Sequence, residues 1–149
     1  MANSAGLCTS FKVELMTAHH AFGTTVTRGG TGADTFKFAL YQTTATIGPS
    51  TTAYTATGEV SSGNYTAGGA AVTNGTAPTS SGTTAYWTPS ASVSWSTVSF
   101  TTDCALLYND TQGDRAVGSY TFSSQTVSSG NFTLTMPTNG PTTGLIQIA

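Results

Sequence analysis

The residues able to do chemistry are few, and their spacing narrows what they can do. His19 and His20 are adjacent, so on an extended chain they point to opposite sides, with no acidic or cysteine residue beside them. The pair is expected to be neither a metal site nor a catalytic base. Cys8 and Cys104 are far apart and read as small buried thiols, with a disulfide between them as the alternative. Even together with the histidines they make no metal-binding spacing. Of the six carboxylates, Glu59 stands alone within Gly58–Gly69 and reads as an acceptor of turn N–H groups. A glycosidase needs two carboxylates facing each other, and nothing selects Asp34, Asp103, Asp110 or Asp114 as the second. The acids of Asn109–Asp114 offer oxygens to Ca²⁺, but Asn and Asp in turns more often bond their own backbone. Serine and threonine abound without a Gly-x-Ser-x-Gly elbow. The run Gly29-Gly30-Thr31-Gly32 does not join a strand to a helix, so it does not cradle a phosphate. The expectation is a protein with no catalytic residues, no cofactor and no metal.

The elements that would position these groups are strands. The chain has 149 residues, the usual size of one domain. Only 7% of them are charged, against roughly 25% in ordinary soluble proteins. Threonine alone supplies about a fifth. Aromatics at 10%, spread among β-branched residues, argue for a folded β protein with a hydroxyl-rich surface rather than a disordered chain. Net charge is −2, and Lys12, Arg28, Lys37 and Arg115 are scattered. Nucleic-acid binders cluster their cations, so no nucleic-acid partner is expected. No basic start with an apolar run suggests a secretory signal, and no stretch reaches the ~18 apolar residues of a membrane span. Synthesis in a host cytoplasm follows, with no membrane partner.

The central stretch is Asp34–Tyr41, where Phe36, Phe38 and Leu40 alternate with Thr35, Lys37, Ala39 and Tyr41 as in a half-buried strand. Phe11–Met16 alternates likewise, placing Phe11, Val13 and Leu15 inward. Antiparallel pairing with Lys37 opposite Glu14 would match all three apolar pairs, giving a core of Phe11, Val13, Leu15, Phe36, Phe38 and Leu40. Residues 1–9 read as a flexible arm and residues 10–149 as the domain. Between the two strands, residues 17–33 are longer than a hairpin needs and read as a contact loop carrying His19, His20, Phe22 and Arg28. Further strands are expected at 70–73, 84–88, 93–100, 104–108, 115–122, 131–136 and 145–149. A bulge is expected near Ser96-Thr97, where the apolar parity changes, and 104–108, apolar on both faces, should be central. The pattern reads as an all-β, single-domain antiparallel sandwich, jelly-roll-like. Tyr86, Trp87 and Trp95 read as core before they read as sugar-stacking platforms.

Several of these segments resemble a family of small virion structural proteins of tailed bacteriophages. The resemblance runs through Asp-Thr-Phe-Lys-Phe-Ala-Leu-Tyr (34–41), Thr-Ala-Tyr (52–54) and Gly-Glu-Val-Ser-Ser-Gly-Asn-Tyr-Thr-Ala-Gly-Gly (58–69), its most specific block. It continues in Ala-Leu-Leu-Tyr-Asn (105–109), Arg-Ala-Val (115–117), Met-Pro-Thr-Asn (136–139) and Gly-Leu-Ile-Gln-Ile-Ala (144–149), and so covers about residues 11–149. It implies a head decoration, or cement, protein on the capsid exterior, partnered by the major capsid protein and by itself, as a trimer ahead of a dimer. It implies no catalytic residues. The alternatives are a fiber-associated or adhesin-like module binding host glycans, and a head-tail connector or tail structural protein.

Overall fold

A computed structural model describes residues 2–16, 18–23 and 32–149. In chain order the elements are β1 (Gly6–Leu7), α1 (Thr9–Met16), β2 (Phe36–Tyr41), β3 (Ala70–Ala71), β4 (Thr79–Ser81), β5 (Thr84–Trp87), β6 (Val93–Asn109), β7 (Arg115–Leu134) and β8 (Ile146–Ile148). They form two antiparallel sheets, one of five strands in the order β1-β7-β6-β2-β3 and one of three in the order β4-β5-β8. The protein is thus mostly β with one short helix; these strand orders do not show a jelly roll.

Phe11–Met16 is helix, not strand. A short apolar alternation fits either element, and here Phe11, Glu14 and Leu15 sit at i, i+3 and i+4, so one helical face takes all three. Phe11 and Glu14 are buried and Leu15 packs against the core. The helix closes with a paired set of backbone bonds: His19 N–H donates to Glu14 O at 3.0 Å and Ala18 N–H to Leu15 O at 3.2 Å. Ala18 takes the left-handed conformation (φ 56°) that this C-terminal motif requires. The expected pairing of Lys37 with Glu14 therefore does not exist. The true partner of β2 is β6, in the register Phe36↔Asn109 to Tyr41↔Cys104, and Lys37 Nζ meets Asp110 at 2.8 Å.

β2 is also more than half-buried. Phe36, Phe38 and Leu40 are fully buried, each stabilising the fold by roughly 1.5–3 kcal/mol, but so are Ala39 and Tyr41 on the opposite face. The first face meets α1, residues 18–23 and Trp87 of the smaller sheet. The second is covered by the chain between β2 and β3, where Tyr54 stacks on Tyr108 with centroids 5.0 Å apart and Tyr41 Oη–H donates to Thr55 O at 2.7 Å.

β6 is central at Cys104–Tyr108, every residue of which is buried. The expected bulge falls between Trp95 and Val98, with Thr97 at φ 54°. The strands expected at 115–122 and 131–136 are joined into the single strand β7, so β6 and β7 make one long hairpin about the 110–114 turn. The N-terminal residues are not a free arm: β1 pairs with Gly118 and Ser119, Ser4 N–H donates to Ile47 O, and the Asn3 side chain bonds Ile47 N and Asp103.

Candidate functional site

Three places bring polar or accessible groups together. The first lies where α1 ends against the 110–114 turn. The helix-closing motif carries the chain back over the last turn, so His20 Nε2 reaches Glu14 Oε2 at 2.8 Å. The opposite oxygen, Glu14 Oε1, accepts from Arg115 Nη1 at 2.6 Å. On the other side of the ring, Nδ1 lies 3.1 Å from Asn109 Nδ2, which also donates to Asp34 Oδ2 at 2.9 Å. The oxygen of the Asn109 amide accepts from Thr111 N and Gln112 N, which fixes the amide's orientation. An amide nitrogen only donates, so Nδ1 accepts and the ring proton sits on Nε2, directed at Glu14. The His20 side chain is 0% exposed and packs among Phe11, Phe22 and Phe36.

Burial holds the His20 pKa below its ordinary value, against the hydrogen bond and charge of Glu14, which act to raise it. Burial would raise the Glu14 pKa, but hydrogen bonds from His20 and Arg115 outweigh it and lower the value overall. A neutral His20 gives Glu14 a hydrogen bond without a charge, so the guanidinium is the cation that keeps the carboxylate ionised. Both nitrogens of the ring are engaged, and among the described residues no nucleophile stands within this network. It fastens elements together.

The second place is Glu59, buried on the other face of the sheet. Its carboxylate accepts from Tyr54 Oη at 2.7 Å, Tyr65 Oη at 2.8 Å and the Gly68 N–H at 2.9 Å. Tyr65 Oη in turn accepts from Leu40 N at 2.9 Å. Burial first, then the Glu59 carboxylate, push the Tyr54 pKa up to about 12 and raise that of Tyr65 further, so both hydroxyls keep their protons to donate. The sequence reading of Glu59 as an acceptor for a glycine-rich turn matches the Gly68 contact, and the two tyrosines complete it.

The third place is the outer half of the β6–β7 hairpin, residues 93–103 and 121–134. β2 pairs with β6 only from Cys104 onward and β1 touches β7 only at Gly118 and Ser119. Beyond those points the hairpin is a two-stranded ribbon. Its exposed face is hydroxyl-rich, with Ser94 paired to Thr133 and Thr101 to Thr126, each at 2.9 Å. Its other face carries Trp95, Phe100 and Phe132, with Tyr65 covering the β6 side. On the β7 side a groove of about 550 Å³ is lined by Phe122, Val127, Phe132 and Leu134 among others. No charged residue occurs from Val60 to Thr102 or after Arg115.

The residues expected to form a contact loop are dispersed. His20 and Phe22 turn inward, where Phe22 stacks on Phe36 with centroids 4.4 Å apart; His19 is half-buried; Arg28 lies outside the described residues. Of the expected core, Phe11, Phe36, Phe38 and Leu40 are fully buried and Leu15 packs against them, while the Val13 side chain is outside the described set. Trp87 is 2% exposed with its indole N–H bonded to Thr76 O, and Trp95 is also buried, so neither offers a sugar-stacking face. Cys8 and Cys104 are free and buried. Among the described residues no three His, Cys, Asp or Glu side chains are grouped to hold a metal ion, and no helix is long and apolar enough to cross a membrane.

Sequence reasoning missed the Glu14–His20–Asn109–Asp34 network. The available signal was that Asp34 and Asn109 sit at the ends of two apolar runs, Phe36–Tyr41 and Cys104–Tyr108, that read as neighbouring strands. No protein-family model, no curated protein and no solved structure matches the chain.

Proposed function

We propose that this chain is a structural protein of a tailed-phage virion that decorates the outside of the capsid as a cement protein, binding the major capsid protein and associating with itself. The observation that carries the proposal is the outer hairpin: a long ribbon with no charged residue beyond Asp103 at its inner end, hydroxyl-rich on one face and apolar along the β7 side, standing clear of the rest of the sheet. Such a surface offers backbone groups, hydroxyls and apolar area to a large partner, and many weak copies on a symmetric shell add up to firm attachment. Attachment of many copies stabilises the shell by mass action. The resemblance of 34–41 and 58–69 to phage virion proteins supports the same reading. So do His20 and Glu59, whose polar atoms are taken up by internal hydrogen bonds. A jelly-roll-like sandwich belongs to this proposal, supported by the two antiparallel sheets sharing an apolar core; so does a closed homo-oligomer, a trimer ahead of a dimer, as the resemblance implies.

The test is addition of purified protein to heads that lack it. Saturable binding, in numbers comparable to the capsomers, and a rise in the melting temperature of the heads are expected. Whole-particle density with this chain absent from the capsid surface would overturn the proposal. Saturable binding to host glycans with no affinity for heads would do the same, in favour of the adhesin reading.

A further inference from the structure

From the outer edge of β7 we infer that this chain pairs with a second copy of itself, β7 against β7 about a two-fold axis, through residues 121–134. This two-fold pair replaces the trimer favoured above as the unit of self-association, and it does not depend on capsid binding. Three observations carry it.

The edge is open. Apart from its ladder to β6, no backbone–backbone hydrogen bond among the described residues engages residues 121–134; side chains take only Ser129 N–H (Ser99 Oγ, 2.8 Å) and Ser123 O (Gln125 Nε2, 3.1 Å). A strand edge of this kind is a template for another strand unless it is guarded by charge or proline. No Lys, Arg, Asp, Glu or Pro occurs from Ala116 to Met136.

The edge is also self-complementary. A bulge at Ser128–Ser129, which face Ser99 alone and where Ser129 has φ 48°, separates Gln125–Val127 from Gly130–Leu134, and a wider one at Phe122–Ser124, opposite Asp103, bounds the edge. A dyad between Ser128 and Ser129 would set Gln125 opposite Phe132, Thr126 opposite Asn131 and Val127 opposite Gly130 of the second copy. The bulges then meet at the axis, where neither has to join a ladder. The apolar grooves of the two copies run on into one another. The β7 edge carries no charge, so two copies approach without repulsion there, and a strongly charged partner would find no counterpart.

The area suits a reversible pair. The register above pairs Ser123 through Leu134, twelve residues spanning about 40 Å, and a sheet layer is about 10 Å thick, so the edge alone buries on the order of 400 Å² per copy. The pair then covers about 800 Å², short of the ~1,200 Å² of a small stable interface. The groove side chains Phe122, Val127, Phe132 and Leu134 supply the remainder.

Light scattering on the size-fractionated protein is expected to give twice the 15.1 kDa chain mass. Val127→Lys, which puts a charge in the groove at a partly exposed position, should raise the dimer Kd at least tenfold with an unchanged circular dichroism spectrum. Thr101→Lys on the hydroxyl face should leave the dimer intact. An equimolar mixture of Thr126→Cys and Asn131→Cys chains should form a cross-chain disulfide on oxidation that neither variant forms alone. A monomer at high concentration, a trimer, or a dimer indifferent to Val127→Lys with no cross-link would overturn the inference. So would a monomer whose 121–134 amides gain exchange protection only on adding heads, which would assign the edge to the capsid protein. A dimer that binds no heads would leave the inference standing and remove the cement reading.

Discussion

Replacing Tyr65 by Phe removes one oxygen, yet the structure makes it one of the more damaging conservative changes available. Tyr65 Oη donates to Glu59 Oε1 at 2.8 Å and accepts from Leu40 N at 2.9 Å. Without it the Leu40 N–H, on a fully buried residue, loses its partner, at a cost of about 1–3 kcal/mol. The lost bond is to a charged acceptor and contributes about 1.5–3 kcal/mol more. Tyr65→Phe should therefore destabilise by about 2.5–6 kcal/mol, or about 10 °C in Tm for a domain of this size. Urea unfolding at pH 7 measures it, with Tyr86→Phe as a control, since the Tyr86 hydroxyl makes no hydrogen bond among the described residues. Because both effects pass through one hydroxyl, Tyr65→Phe combined with Glu59→Gln should cost less than the two single changes added. A loss below about 1 kcal/mol, or strict additivity, would refute the reasoning.

Acid should weaken the fold in two steps. The His20 pKa is depressed by burial, so its contribution is intact above about pH 6.5, the unfolded value, and is lost as pH falls through the lower folded value. Glu14 is likewise depressed, so its contribution is lost only below about pH 4.5. Urea midpoints from pH 8 down to about pH 2 should show both steps, and His20→Gln should remove the first. Gly69→Ala should cost roughly 3 kcal/mol or more in thermal unfolding, because Gly69 has φ 74° and an added Cβ would collide with the Phe38 carbonyl. Cys8 and Cys104, whose thiol pKa values burial pushes up to about 11 and about 12, should resist a thiol reagent in the native protein and react, two per chain, in urea.

The sheet's spine was legible in the sequence, and its edges were not. Cys104–Tyr108 announced itself as central because it is apolar on both faces, and the parity change at Ser96-Thr97 located a bulge that the backbone shows at Thr97. Both signals are local. Phe11–Met16 failed because six residues fit a period of 2 and a period of 3.6 equally, and the deciding contacts, Arg115 and Asn109, lie about a hundred residues away. β7 failed for a related reason. Ser123–Gly130 has no apolar alternation, and it is strand only because β6 holds it from the other side. The Glu59 carboxylate was readable as a turn acceptor from its glycines, while Tyr54 reaches it from outside Gly58–Gly69 and Tyr65, inside that stretch, carries no sequence mark of its bond.

The hairpin of β6 and β7 also sets an order of events. Its rungs close outward from the 110–114 turn, each lengthening the loop by only a pair of residues, so little chain entropy opposes the next. β2 instead has to find β6 across the whole stretch from Tyr41 to Cys104. Long-range pairing of that kind is slow. The hairpin's inner half is therefore expected to form first, and the docking of β2 on it to be the rate-limiting step. Val117→Ala should then slow refolding, because the hairpin is already in place at that step.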